Sequence, residues 1–313
     1  MTDLPTDLRD LREMRDMRDL FPSHPPAAGK VVGFRVFVNG PDGGNPVPLV
    51  ADARGMDDEA MRRVAEQHGH ESAFVLPPQD PRADWRLRFF VPRHEMEMCG
   101  HATVGSLWAL RRWGLWTEPT AVIETLSGLV DVRWDQTRQR VWISQPAVQQ
   151  QALDASQCAR IATVLRLPTH WPPAMHNAAT SRVKTLVPLV DATALHALRP
   201  DLAAVEALCE SIGSTGLYPY ALADADTVFA RQFPKSSGYP EDAATGIAAA
   251  ALWGHLAAAG DIAIGTAEAP RTCTVRQGDA MGRSSAIEVQ PRFDAAGNTD
   301  GCWLSGRVEG GGL

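Results

Sequence analysis

From Val31 onward the spacing of hydrophobic and polar positions divides the chain into strands and helices. VVGFRVFV alternates and predicts a strand, NGPDGGNP a glycine-rich turn, and VPLVA a second short strand. DDEAMRRVAEQHG carries apolar residues at helical spacing, acids in its first turn, and Gly69 as its stop. ESAFVL and WRLRFFV read as strands. MCGHATVGSLWALRRWG is apolar on nearly every side, which predicts a helix enclosed by other elements. TAVIETLSGLVDVRW and QRVWISQP complete a β-rich half. The order then returns: DLAAVEALCESIG ends in glycine, GLYPYAL and DTVFARQF stand where the earlier strands stood, and PKSSGYPEDAATGIAAAALWGHLAAAG closes with another glycine-opened apolar helix. The two series lie about 145 residues apart and predict two similar domains, at 30–146 and 147–300, whose buried helices begin at a shared cleft.

The first 29 residues break this pattern. MTDLPTDLRDLREMRDMRDL sets acid beside base about every three residues, and PSHPPAAG follows as a linker. A marginal helix held by i,i+3 charge pairs and a solvated arm are both open, with the arm the plainer expectation. The length of 313 residues suits about two domains, and 44% hydrophobic with 21% charged residues is an ordinary globular composition. A net charge of -7 leaves no basic footprint for nucleic acid. No apolar run approaches the roughly 18 residues needed to span a bilayer, and the charged N-terminus does not read as a signal peptide. Five cysteines without a CxxC pair predict free thiols and a cytoplasmic protein.

Candidate chemistry gathers at the two predicted helix starts. A helix's first turn leaves backbone N–H groups unpartnered and adds partial positive charge. Gly100-His101 and Thr245-Gly246 would therefore hold a small anionic group, such as a carboxylate, without any arginine. Each glycine taken alone is better explained by tight helix packing, and it is the pair in matched places, with acids beside one of them, that points to a site. Glu71 stands between HGH and the apolar SAFVL, where a pocket would raise its pKa and suit it to general acid/base work; a solvent-facing strand end is the other reading. Asp242 is a second candidate or merely a helix cap, and His101 a third or merely a first-turn residue.

At this point the motifs resemble a known family. GGNP (43–46), HESAFVLP (70–77), CGHATVG (99–105) and GYPEDAATG (238–246), with ETLSGLVDV and QGDAMGRSS, are similar in kind and order to the PhzF family of phenazine biosynthesis-like isomerases. That family is related to diaminopimelate epimerase and proline racemase. The resemblance runs from about Val31 to near the C-terminus. It implies an α+β fold of two similar domains, each a curved mixed sheet wrapped around a central apolar helix. It also implies a terminal strand within 301–313 that returns to the first domain, a homodimer, and no cofactor. The family's acid/base glutamate falls on Glu71, its Gly-His pair on Gly100 and His101, its aspartate on Asp242, and its glycine-loop asparagine on Asn45. The implied reaction removes a proton beside an electron-withdrawing group of a small carboxylate-bearing metabolite and returns it elsewhere. His70, Cys99 and Ile247 depart from the phenazine enzyme's serine, small residue and serine, so its aromatic precursor is not carried over as substrate.

Three other readings compete. A racemase or epimerase would use Cys99 with a carboxylate partner, since Asp242 and no cysteine holds the second thiol's place at the matching helix start. A metal site would draw on Cys99, His101 and His94, with His68 and His70 as further donors, but lacks the paired spacings of zinc sites. The third is a non-catalytic small-molecule-binding protein. Cys99, Thr245 and Gly246 are expected to line the pocket with Asn45 and Gly100 in any of them.

Overall fold

The computed structural model describes residues 21–168 and 174–311. The charged segment 1–20 lies outside them. The fold is mixed α+β and dominated by sheet, with six α-helices among the described residues. Strands β1 (Val31–Val36) and β2 (Asn45–Val50) form an antiparallel pair, followed by helix α1 (Asp58–His68). Asp57 caps α1 by accepting from the Ala60 amide, and Gly69 ends it in the left-handed conformation at φ 67°. Next come β3 (Ser72–Leu76), β4 (Trp85–Val91), β5 (His94–Met96) and helix α2 (Gly100–Arg112). Strands β6 (Thr120–Thr125), β7 (Gly128–Asp135) and β8 (Arg140–Gln145) form a meander.

The chain continues through β9 (Gln149–Ala152), α3 (Ala155–Leu165), β10 (His176–Ala179) and β11 (Lys184–Pro188). Helices α4 (Ala192–Ala197) and α5 (Leu202–Ser211) lead to β12 (Gly216–Leu222), β13 (Thr227–Ala230) and β14 (Phe233–Pro234). Helix α6 (Gly246–Ala259) precedes β15 (Cys273–Gln277), β16 (Ser285–Phe293), β17 (Thr299–Ser305) and β18 (Val308–Gly310).

One pairing pattern occurs twice. β2 runs parallel to β3 and β4 to β6, and in the later half β11 runs parallel to β12 and β13 to β15. Each such set is completed by antiparallel neighbours: β1, β7 and β8 in the first, β10, β16 and β17 in the second. β17 also pairs with β8, and β18 pairs with β1, so all 18 strands join one continuous sheet. Helix α2 lies against β1, β2, β3 and β8, and α6 against β10, β11, β16 and β17.

The two central helices owe their places to composition. Ten of the 13 residues of α2 and nine of the 14 of α6 are buried, so neither keeps a polar face for water. Gly105 admits β1 closely, because a Cβ there would sit 2.1 Å from the Phe34 ring. The stretch read as a free linker is pinned at its start. Phe21 is buried, stacks on Trp113 with ring centroids 5.2 Å apart, and meets Trp108 edge-on, while the Trp113 indole donates to the Pro22 carbonyl.

Candidate active site

Helices α2 and α6 meet at their N-termini. A Cβ on Gly100 would lie 3.5 Å from the Gly246 Cα and 3.1 Å from Leu304. A Cβ on Gly246 would lie 2.8 Å from the same leucine and 3.3 Å from the Phe37 ring. The packing reason for these glycines is therefore present. Among the described residues, no acceptor is found for the amides of Gly100, His101, Gly246 or Ile247. A cleft opens over these ends. Glu71, Cys99, Gly100, His101, Asp242, Thr245 and Gly246 line it; Asn45 stands behind Asp242 and lines a neighbouring cavity.

Glu71 immediately precedes β3, which points its side chain into the cleft with 14% of that side chain exposed. The Cys99 thiol donates to its Oε2 at 3.2 Å, His101 Nε2 lies 3.4 Å from the same oxygen, and the Tyr239 hydroxyl donates to Oε1 at 3.4 Å. Cys99 Sγ is also 3.4 Å from His101 Nδ1. Burial, then the Glu71 charge, pushes the Cys99 thiol well above its usual range, so it is a neutral donor and a poor base. Burial and the charges of Glu71 and Asp242 likewise push Tyr239 well up.

Asp242 occupies the other helix start. Its Oδ1 accepts from Asn45 Nδ2, which also donates to the Ala244 carbonyl at 2.9 Å, and its Oδ2 accepts from the Thr245 hydroxyl. Gln277 Nε2 donates to the Asp242 carbonyl at 2.7 Å and to Thr245 Oγ1 at 3.1 Å. Burial raises the Asp242 carboxyl above its ordinary value, and the nearby Glu71 charge adds to the shift; His101, Thr245 and Asn45 oppose it.

The structure thus brings Glu71, Cys99, His101, Asp242, Asn45, Thr245 and both glycines to one place. Glu71, Cys99 and His101 present ligand atoms within 4.8 Å of one another, the one cluster among the described residues with the donor set for a metal ion. His94 is exposed on β5 and outside that cluster. Tyr239, Gln277, Gln232, Arg182 and Lys184 were not singled out by the sequence reading. Tyr239 stands inside the GYPEDAATG motif and Gln277 opens QGDAM, so both were within reach. Arg182 lies just before the short strand β11 and Lys184 opens it, and they add cations to a cleft whose helix starts alone were expected to hold an anion.

A family model described as phenazine biosynthesis-like protein matches residues 34–306. The chain belongs to the phenazine biosynthesis-like family. It is 32% identical over 262 residues to a protein of Deinococcus radiodurans named an uncharacterized isomerase, covering 81% of this chain and 84% of the relative. A Bacillus subtilis protein of the same description is 26% identical over 272 residues, covering 83% of this chain and 90% of the relative. Among solved structures, a PhzF-family phenazine biosynthesis protein of Bacillus anthracis superposes with a TM-score of 0.77 at 25% identity, covering 90% of this chain and 96% of that one. A probable proline racemase from Agrobacterium radiobacter shares the fold, with a TM-score of 0.62 at 14% identity over 90% of this chain and 91% of that one. Membership makes this chain an enzyme of the isomerase class. No helix among the described residues is long and apolar enough to cross a membrane.

Proposed function

We propose that this family member is a cofactor-independent isomerase that moves a proton on a small carboxylate-bearing metabolite, with Glu71 as acid and base. The observation that carries the reading is the Glu71 carboxylate, enclosed at the cleft with Cys99, His101 and Tyr239 in contact and the raised Asp242 carboxyl nearby. Glu71 takes a proton from a carbon beside an electron-withdrawing group and returns it at another carbon, so nothing is oxidised or reduced. The unpartnered amides at the two helix starts stabilise the negative charge that develops on the substrate. Asp242 holds a proton more readily than an ordinary aspartate and serves as the partner that keeps charge from accumulating beside Glu71. His101 donates to Glu71 and fixes its orientation. Residues 30–146 and 147–300 act as two units closing on this cleft, and the enzyme works as a homodimer in the cytoplasm.

The test is deuterium uptake from heavy water by a panel of small amino, hydroxy and cyclic acids. Uptake at a defined carbon that disappears in Glu71→Gln, with the fold intact by circular dichroism, supports the reading. Uptake that survives Glu71→Gln overturns it, and tight binding without uptake points to a binding protein.

A thiol reading has one observation in its favour, the 3.2 Å contact between Cys99 and Glu71. The raised thiol and the absence of a facing thiol weigh against it: the residue before Gly246, matching Cys99 before Gly100, is Thr245. This alters the expectation that Asp242 takes that place.

A further inference from the structure

The wall of the cleft formed by β11 and the residues before β14 holds groups that the proton-transfer scheme does not use. Lys184 opens β11, is 4% exposed and lines the cleft, yet among the described residues its ammonium has no hydrogen-bond or ion-pair partner. Arg182, two residues earlier, lines the same wall and also has no ion-pair partner among them. Gln232 is 1% exposed and lines the cleft with both amide atoms unpartnered, although its backbone carbonyl is held by the Asp242 amide at 3.0 Å. A buried primary amide is costly when left unpaired, and an ammonium facing the cleft offers an anion a charged partner.

We infer that Lys184, Arg182 and Gln232 form a second anion subsite that receives a further carboxylate of the substrate, so that the enzyme acts on a dicarboxylate. The inference rests on the proposed function only in taking this cleft as the substrate site. One carboxylate lies over the helix-start amides, next to the carbon that Glu71 serves. The other reaches the ammonium of Lys184, accepts from the Gln232 amide, and is screened by Arg182. A second anion restores partners to every orphaned donor on this wall. It also explains why the cleft carries two cations although neither pairs with Glu71 or Asp242. Burial, followed by the Arg182 charge, lowers Lys184 to about 8, so the free ammonium is held at a cost that an arriving carboxylate relieves.

The experiment is calorimetric titration of the full chain at pH 7 with the straight dicarboxylates from malonate to adipate, with the monocarboxylates of equal length, and with inorganic phosphate. At least one dicarboxylate is expected to bind tenfold or more tightly than its monocarboxylate counterpart. That preference should vanish in Lys184→Met, shrink in Gln232→Leu, and persist in Glu71→Gln. Persistence in Glu71→Gln separates this proposal from the proton-transfer reading, since that variant removes exchange and leaves binding. Equal binding of the two series, binding of phosphate alone, no binding by any member, or a preference retained in Lys184→Met would each overturn it. If Lys184→Met does not fold, the pH dependence of the wild type decides: the preference should decline as pH rises past about 8, and a flat profile counts against the subsite.

Discussion

The two halves use the same scaffold to hold different chemistry. The residue just before β3 is Glu71, and the one just before β12, its partner in the repeated pairing, is Thr215; both face the cleft. The first residue of β2 is Asn45 and the first of β11 is Lys184. The residue before α2 is Cys99 and the one before α6 is Thr245. The earlier half thus supplies a carboxylate in contact with a thiol and an imidazole. The later half supplies an aspartate locked by amides and a hydroxyl, with two cations on the same cleft that have no ion-pair partner among the described residues. The scaffold gives two matched helix starts with different side chains at matched places, and under the proposed function these divide proton transfer from anion recognition.

Breaking the first pair should cost most. Glu71→Gln is expected to lower turnover by about 10³-fold or more, within the range general acid/base groups supply. Thr215→Val should stay within about tenfold. Steady-state rates of the two variants on one substrate test the asymmetry, and a larger loss at Thr215 would reverse the roles assigned to the halves. Asp242→Asn should follow, at about 10²-fold. It keeps the size of the side chain but removes the titrating group, so the acid limb of the pH–rate profile should move.

Lys184 sharpens the contrast through stability. In the unfolded chain it titrates near its ordinary value of 10.5, and in the folded chain near 8. Between those values the unfolded chain binds the extra proton, so stability rises with pH across that window. Below pH 8 the buried ammonium is a penalty on the order of 3 kcal/mol. Lys184→Met should therefore raise Tm at pH 7 by several degrees, with the gain shrinking toward pH 10. A variant that melts lower at pH 7 would show the ammonium to be a structural partner. The smallest contrast concerns the glycines inside the helices. Gly105→Ala should cost about 1–3 kcal/mol in denaturant unfolding, because its Cβ meets two strand side chains, Phe34 and Val36. Gly254→Ala should cost less, since its Cβ meets only Val148.

Much of this arrangement was legible in the sequence because its causes are local. An apolar run without a polar face predicts an enclosed helix, and α2 and α6 are enclosed. Acids ahead of an amphipathic run and glycine behind it mark α1, and both ends fall as expected. The segment between Ala147 and Pro200 carries weaker signals. β10 and β11 span four and five residues, too few for a clear alternation. Lys184 is a charged residue in a core strand, against every composition rule, so nothing local placed it in the cleft. The helix-start glycines carried an ambiguity that only three dimensions resolve, since Leu304 and Phe37, far away in sequence, fill the space beside them. Phe21 was missed for the same reason: a proline-rich neighbourhood reads as linker, while its ring is buried against Trp108 and Trp113.

The most direct test sets Glu71→Gln against Cys99→Ala, with proton NMR following uptake of deuterium from heavy water into one substrate. Glu71→Gln should show no exchange above the uncatalysed rate, and Cys99→Ala should exchange within about tenfold of the wild type. Exchange that persists in Glu71→Gln and vanishes in Cys99→Ala would contradict the assignment of the proton to the carboxylate.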